Sequence, residues 1–154
     1  MPMNSDASRR CEFDPDKLSL RLDVTFAAKI SAINEVVERI LALAKESGCV
    51  EGREFEVETS LQEALTNAVI HGCKEDADKL VEVTASCDEG RGILIVVRDP
   101  GQGFDISTIP SPIEGERIFA SHGRGIFLIN QLMDEVSFKR GGAEIHMLKK
   151  KPPA

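Results

Sequence analysis

Glu63-Ala-Leu-Thr-Asn67-Ala-Val-Ile-His71-Gly72 is the stretch on which the reading of this chain turns. A carboxylate, a carboxamide and an imidazole recur at every fourth position, and side chains four apart stack on one face of an α-helix. Leu61, Ala64, Leu65, Ala68 and Val69 fill positions between them and give the same helix an apolar face. The spacing predicts a helix from about residue 54 to residue 72. It packs with one side and presents Glu63, Asn67 and His71 on another.

The segments on either side extend the pattern. Leu18, Leu20, Leu22 and Val24 alternate with polar residues, as in a half-buried strand. Between about residues 28 and 47, Ile30, Ile33, Val37, Ile40, Leu41 and Ala44 recur at helical spacing, and Gly48 supplies the stop. Downstream, Val81, Val83, Ala85 and Cys87 alternate, a glycine-containing turn follows, and Ile93-Leu-Ile-Val-Val97 runs apolar without a break. That pair predicts a hairpin whose second strand is central in a sheet. Residues 100–123 form a long connection with Pro110, Pro112 and Gly115, of the kind usually kept for function. Residues 125–133 read as a third helix, and 135–140 with 143–148 as a closing hairpin through Gly141-Gly142.

Strands and helices do not alternate regularly, which excludes a doubly wound parallel sheet. The expected class is α+β: a two-layer sandwich, a largely antiparallel mixed sheet with helices on one face. The expected organisation is a flexible segment at 1–16, one domain over 17–150 and a disordered tail at 151–154. No internal repeat is visible.

Composition narrows the function classes. With 154 residues, 42% apolar and 29% charged, the chain has the balance of a soluble globular protein able to bury a core. No apolar run approaches the roughly 20 residues that span a bilayer, and the polar N-terminus does not read as a signal peptide. The expectation is a cytoplasmic protein with no membrane partner. A net charge of -7 argues against general affinity for nucleic acid, which needs a basic surface. Cys11, Cys49, Cys73 and Cys87 show no CxxC pairing and read as free thiols.

Two glycine-bearing loops add to the helical stripe. Asp99-Pro100-Gly101-Gln102-Gly103 follows the central strand directly. A carboxylate there can accept from an exocyclic amine while glycines let backbone approach a flat ring; the same residues also make an ordinary turn. Gly123-Arg124-Gly125 opens the third helix, where free amides favour phosphate; a flexible joint is the plainer alternative. Neither loop carries a GxxxxGK[ST] or a strand-fed GxGxxG signature. Magnesium takes hard oxygen ligands, which suits the carboxamide of Asn67, and a hydroxyl nucleophile takes a general base, which suits Glu63. His71 reads as a helix-end residue favoured by the helix dipole.

Taken together, Glu63-x-x-x-Asn67, Asp99-x-Gly101-x-Gly103 and Gly123-x-Gly125 resemble the N, G1 and G2 boxes of the GHKL, or Bergerat-fold, ATPases. Within that superfamily Glu-Ala-Leu-Thr-Asn-Ala-Val-Ile-His-Gly, Gly-Arg-Gly-Ile-Phe-Leu-Ile and Leu-Met-Asp-Glu-Val are similar to the anti-sigma-factor serine-protein kinases of the RsbW type. The resemblance implies the Bergerat ATP-binding fold, with ATP and Mg2+ as cofactors. It implies Asn67 as magnesium ligand, Asp99 as adenine contact, Gly101 and Gly103 in the adenine loop, and Gly123, Arg124 and Gly125 at the phosphate end. Glu63 becomes the catalytic base on a protein serine, Arg124 or Arg117 the γ-phosphate contact, and residues 106–122 an ATP lid. The implied partners are a sigma factor and a STAS-domain antagonist carrying the serine. A nucleotide-dependent binding module and a detached histidine-kinase-like ATPase domain are the rival readings. The first helix and first strand are candidates for a homodimer contact. The sequence departs from the family at Ala143-Glu144, where relatives often carry a threonine that helps hold adenine.

Overall fold

The computed structural model describes residues 18–88, 90–101 and 121–151, with side chains from 21 onward and, in the last segment, from 125 onward. The elements in chain order are strand β1 (Leu18–Ala27), helix α1 (Ile30–Ser47), helix α2 (Glu54–Asn67), a π-helical turn (Ala68–Gly72), strands β2 (Leu80–Asp88) and β3 (Gly92–Arg98), helix α3 (Ser121–Leu132), strand β4 (Glu135–Lys139), a 3-10 turn (Arg140–Gly142) and strand β5 (Glu144–Lys150). The five strands stand in the order β1-β2-β3-β5-β4. Every ladder among them is antiparallel, so the sheet described is antiparallel throughout rather than mixed.

The apolar run of β3 occupies the middle of that sheet, as its composition requires. Val83 pairs with Val97, Ala85 with Ile95 and Cys87 with Ile93, and Val97 and Ile95 continue across to Ile145 and Met147. These residues share one face and are buried in the core with Ile33, Val37, Ile40 and Leu41 of α1 and Val57, Leu61 and Leu65 of α2. Each large aliphatic side chain so buried stabilises the fold by about 1.5–3 kcal/mol. The seam between α1, α2 and the sheet is therefore the frame against which the rest is held.

Local chemistry sets the ends of the helices. Gly48 takes a left-handed conformation (φ 76, ψ 11), and its amide and that of Cys49 close on the Lys45 and Ala44 carbonyls at 3.1 and 3.2 Å. That is the glycine stop read from the sequence. Glu54 and Glu56 lie in the first turn of α2, favourably placed against the helix dipole. At the far end of α3, Lys149 donates to the Leu132 carbonyl at 2.6 Å, which satisfies an orphan acceptor from a neighbouring strand. The three described cysteines, Cys49, Cys73 and Cys87, are buried and unbridged, in keeping with reduced thiols. Among the described residues no helix is long and apolar enough to cross a membrane.

Candidate functional site

The stripe that opened the sequence reading is realised in two parts. Glu63 and Asn67 lie one turn apart on α2, but the α-helix ends at Asn67. Over Ala68–Gly72 the backbone widens into a π-turn, in which the Cys73 amide reaches back five residues to the Ala68 carbonyl at 2.8 Å. Such turns are rare and concentrate at functional sites. His71 thus belongs to a wider turn than the regular spacing assumed. Burial, and then the charge of Lys74, hold its imidazole below the usual range, toward the neutral form. It nonetheless stands in the last turn of the helical segment, the helix-end position expected of it.

A cavity opens at this end of α2. The helix layer supplies Ala64, Asn67, Ala68, His71 and Gly72, and α3 adds Ile126 and Ile129. The sheet supplies Val97, Phe138 and Ile145, with Asp99, Gly142 and Ala143 at its edge. An apolar slot with a few polar groups at its rim is the usual form of a small-molecule site.

Asp99 follows β3 directly and is only 9% exposed. Its backbone amide donates to the Ala143 carbonyl at 2.9 Å, and its carboxylate accepts from the Gly101 amide at 2.7 Å. Burial pushes the carboxyl above its ordinary value; the Gly101 hydrogen bond and the charges of Arg140 and Lys79 act in the opposite direction without cancelling it. On the helix wall the Asn67 Nδ2 is buried without a hydrogen-bond partner among the described residues. An unpartnered buried amide costs free energy, and a polar ligand in the cavity would relieve it.

Gly125 connects the two helices of the site. A methyl group on its Cα would lie 2.8 Å from Glu63 Oε1 and 3.1 Å from Asn67 Nδ2, so glycine is what lets α3 approach the polar stripe. The helix itself begins at Ser121, earlier than the Gly123-Arg124-Gly125 opening expected from the sequence. The glycines fall inside its first turns, and its free N-terminal amides belong to residues 121–124.

The structure therefore brings Asn67 and Asp99 to one cavity, with Gly101 against the Asp99 carboxylate and Glu63 and Gly125 in contact beside it. Gly123 lies in the first turn of α3. Gly103, Arg117, residues 106–122 up to the start of α3, Cys11, the 1–16 segment and the last three residues lie outside the described residues, as does the Arg124 side chain. At the departure point, Ala143 lines the cavity, whereas Glu144 pairs with Arg98 on the other face of the sheet. Sequence reasoning missed Gly72 and Phe138 as site residues. The alternation of β4 marked Phe138 as inward, which was the available signal; Gly72 carried none beyond ending a helix.

Comparisons with known proteins give the family and the fold. The chain is 38% identical over 89 residues to an anti-sigma F factor of Heyndrickxia coagulans, covering 53% of this chain and 57% of that protein. It is 37% identical over 98 residues to the serine-protein kinase RsbW of Staphylococcus aureus strain JH9, covering 58% and 61%. The matches span somewhat more than half the length of these relatives. In fold it is similar to the crystal structure of the RsbU and RsbW domains of Rv1364c from Mycobacterium tuberculosis, with a TM-score of 0.60 at 19% identity, over 88% of this chain and 34% of that one. The profile of the histidine kinase-like ATPase domain runs across residues 26–149, from the last residues of β1 through nearly all of β5, and the chain belongs to that family.

Proposed function

We propose that this chain is an ATP-dependent serine-protein kinase and anti-sigma factor of a partner-switching circuit. One observation carries the reading: the carboxylate of Glu63 and the carboxamide of Asn67, whose Nδ2 has no partner among the described residues, meet at Gly125, beside an apolar cavity that ends on the buried Asp99. The donor set fits Mg-ATP. Asp99 would accept from the exocyclic amine of the base, Val97, Phe138 and Ile145 would face its ring, and Asn67 Oδ1 would hold a divalent ion. The amides that open α3 would take phosphate oxygens.

Bound Mg-ATP supplies the transferable phosphoryl group and the charge that offsets its negative oxygens. The chain's own residues have the smaller task of positioning. Glu63 would orient the incoming serine hydroxyl and accept its proton as the γ-phosphoryl group passes to that oxygen, its bond to the β-phosphate breaking and ADP leaving. Asn67, one helical turn from that carboxylate, would hold the ion. The relatives named anti-sigma F factor and serine-protein kinase support a sigma factor and a serine-bearing STAS-domain antagonist as competing partners.

The test is transfer of labelled γ-phosphate from ATP to the cognate antagonist, by the wild-type chain and by Glu63→Ala. Transfer should fall by a factor on the order of 100 or more in the variant, with ATP affinity changed little, since general-base catalysis contributes about 10²–10⁴-fold. Nucleotide binding with no transfer by the wild type would leave a nucleotide-dependent binding module in place of a kinase.

A further inference from the structure

Nothing in the proposed chemistry accounts for the π-turn after Asn67, or for the glycine that ends it. Gly72 is not among the glycines with a positive φ, so its backbone is one that any residue adopts. Space, not torsion, demands glycine there. A methyl group built on Gly72 would overlap the Asp99 carboxyl group, whose Cγ and two oxygens are the three nearest atoms. Gly101 closes the other side. Its amide donates to Asp99 Oδ1 at 2.7 Å, and a methyl on its own Cα would lie 2.5 Å from the Gly72 carbonyl oxygen and 2.8 Å from Asp99 Oδ1. The carboxylate is thus seated between two side-chain-free backbones, one delivered by the π-turn and one by the loop after β3.

A regular α-helix would turn residue 72 to a different azimuth, because each residue of a π-turn advances the chain by a smaller angle. The widened turn and the glycine are therefore two parts of one device. We propose that Gly72 is a positioning residue: the side chain it lacks leaves the space that holds the Asp99 carboxylate in place, and so sets selectivity for a purine bearing an exocyclic amine. The seating of Asp99 stands on the ligand-free geometry alone. The selectivity rests on the nucleotide reading above.

Two measurements test it, one for each half. The first is thermal unfolding, without nucleotide, of wild type, Gly72→Ala, Asp99→Ala and the double variant. Gly72→Ala should lower the melting temperature by several degrees in the wild-type background and by much less when Asp99 is alanine, because the space is then empty. An equal drop in both backgrounds overturns the proposal, since the clash would then be with something else. If Gly72→Ala alone does not fold, a folded double variant still supports the proposal, and an unfolded one overturns it.

The second measurement is calorimetric binding of ATP and of inosine triphosphate, which carries an oxo group in place of the amine. The wild type should prefer ATP by about tenfold or more, the scale of one good hydrogen bond. In Gly72→Ala that preference should shrink toward parity while magnesium-dependent binding of both triphosphates persists. A folded Gly72→Ala that keeps the full preference overturns the proposal. Coupled melting temperatures in a protein that binds neither triphosphate would uphold the seating and remove the nucleotide reading.

Discussion

Asp99 and Glu144 stand at the same end of the sheet and are almost equally hidden, yet their surroundings differ in kind. Arg98 pairs in register with Glu144, and the Asp99 amide bonds to the residue before it, Ala143. Asp99 is 9% exposed, and the Glu144 side chain 12%. Glu144 lies on the face away from the helices, where Arg98 approaches at 3.2 Å, Arg140 at 3.9 Å and His146 at 2.6 Å. Burial raises the Glu144 carboxyl, but the His146 hydrogen bond and the charge of Arg98 outweigh it, and the group sits below its ordinary value. At Asp99 burial prevails over the one backbone hydrogen bond, 2.7 Å long, that it has among the described residues, and its carboxyl sits above its ordinary value. Solvent exposure is similar across the pair, but burial weighs more on Asp99, which also has fewer partners. One face of the sheet satisfies its own charges; on the helix side Asp99 has a single backbone partner and the Asn67 Nδ2 has none among the described residues. Unmet groups of that kind, where local rules are broken without local compensation, mark the side that binds.

The largest expected effect comes from removing the charge on the unmet side. Asp99→Asn should weaken ATP binding roughly 10- to 100-fold, since a donor replaces part of the acceptor pair and each tenfold is about 1.4 kcal/mol. The nucleotide-free variant should be no less stable than wild type, because a buried ionised carboxylate is exchanged for a neutral amide of the same shape. Titration calorimetry and thermal unfolding on the same sample read both. Unchanged ATP affinity would end the role assigned to Asp99, and lost stability would mean that its charge is satisfied after all.

That contrast was only half legible in the sequence. The periodicity of α1 and α2, the Gly48 stop and the unbroken apolar run of β3 each follow from local rules, and each appears where the residues put it. Asn67 and Asp99 were singled out because a carboxamide on a polar stripe and a carboxylate at a strand end keep their meaning in any compact arrangement. The π-turn left no signature, since widening one turn of helix depends on what packs against it. With it went the placement of His71 and the significance of Gly72. The start of α3 was read too late because glycines are poor helix formers, whereas contact with α2 through Gly125 favours the helix regardless. Period-two alternation separates Ala143 from Glu144, but only the ladder to Arg98 shows which of them faces the cavity.

A smaller effect is expected from the satisfied side, and of the opposite type. Glu144→Gln keeps the side-chain shape but removes the charge that Arg98 and His146 meet. It should lower unfolding stability by about 1–2 kcal/mol, in the range for hydrogen bonds to charged groups, and leave ATP affinity within about twofold. For a chain of this size that is a fall in melting temperature of roughly 2–8 °C. A fall in nucleotide affinity as large as that of Asp99→Asn would erase the distinction between the two faces.

The smallest effect, and the sharpest test of the contrast, is in the pH dependence of ligand-free stability. Glu144 has a folded pKa below its ordinary 4.5, so its contribution is fully present above that value and is lost as the pH falls through the folded pKa. Asp99 has a folded pKa above its ordinary 3.8, so between those two values the native chain binds more protons than the unfolded one. Its contribution is therefore a penalty that grows as the pH rises through that window and is absent in acid. The stability of Asp99→Asn minus wild type should thus climb from acid toward neutrality and then level off. For Glu144→Gln the same difference should be negative at neutrality and shrink toward zero in acid. Denaturant titrations from about pH 3 to pH 7 give both curves, and they should diverge as the pH rises. Parallel curves would mean that the two carboxylates share one kind of environment, and the cavity would lose its claim to be the side that waits for a ligand.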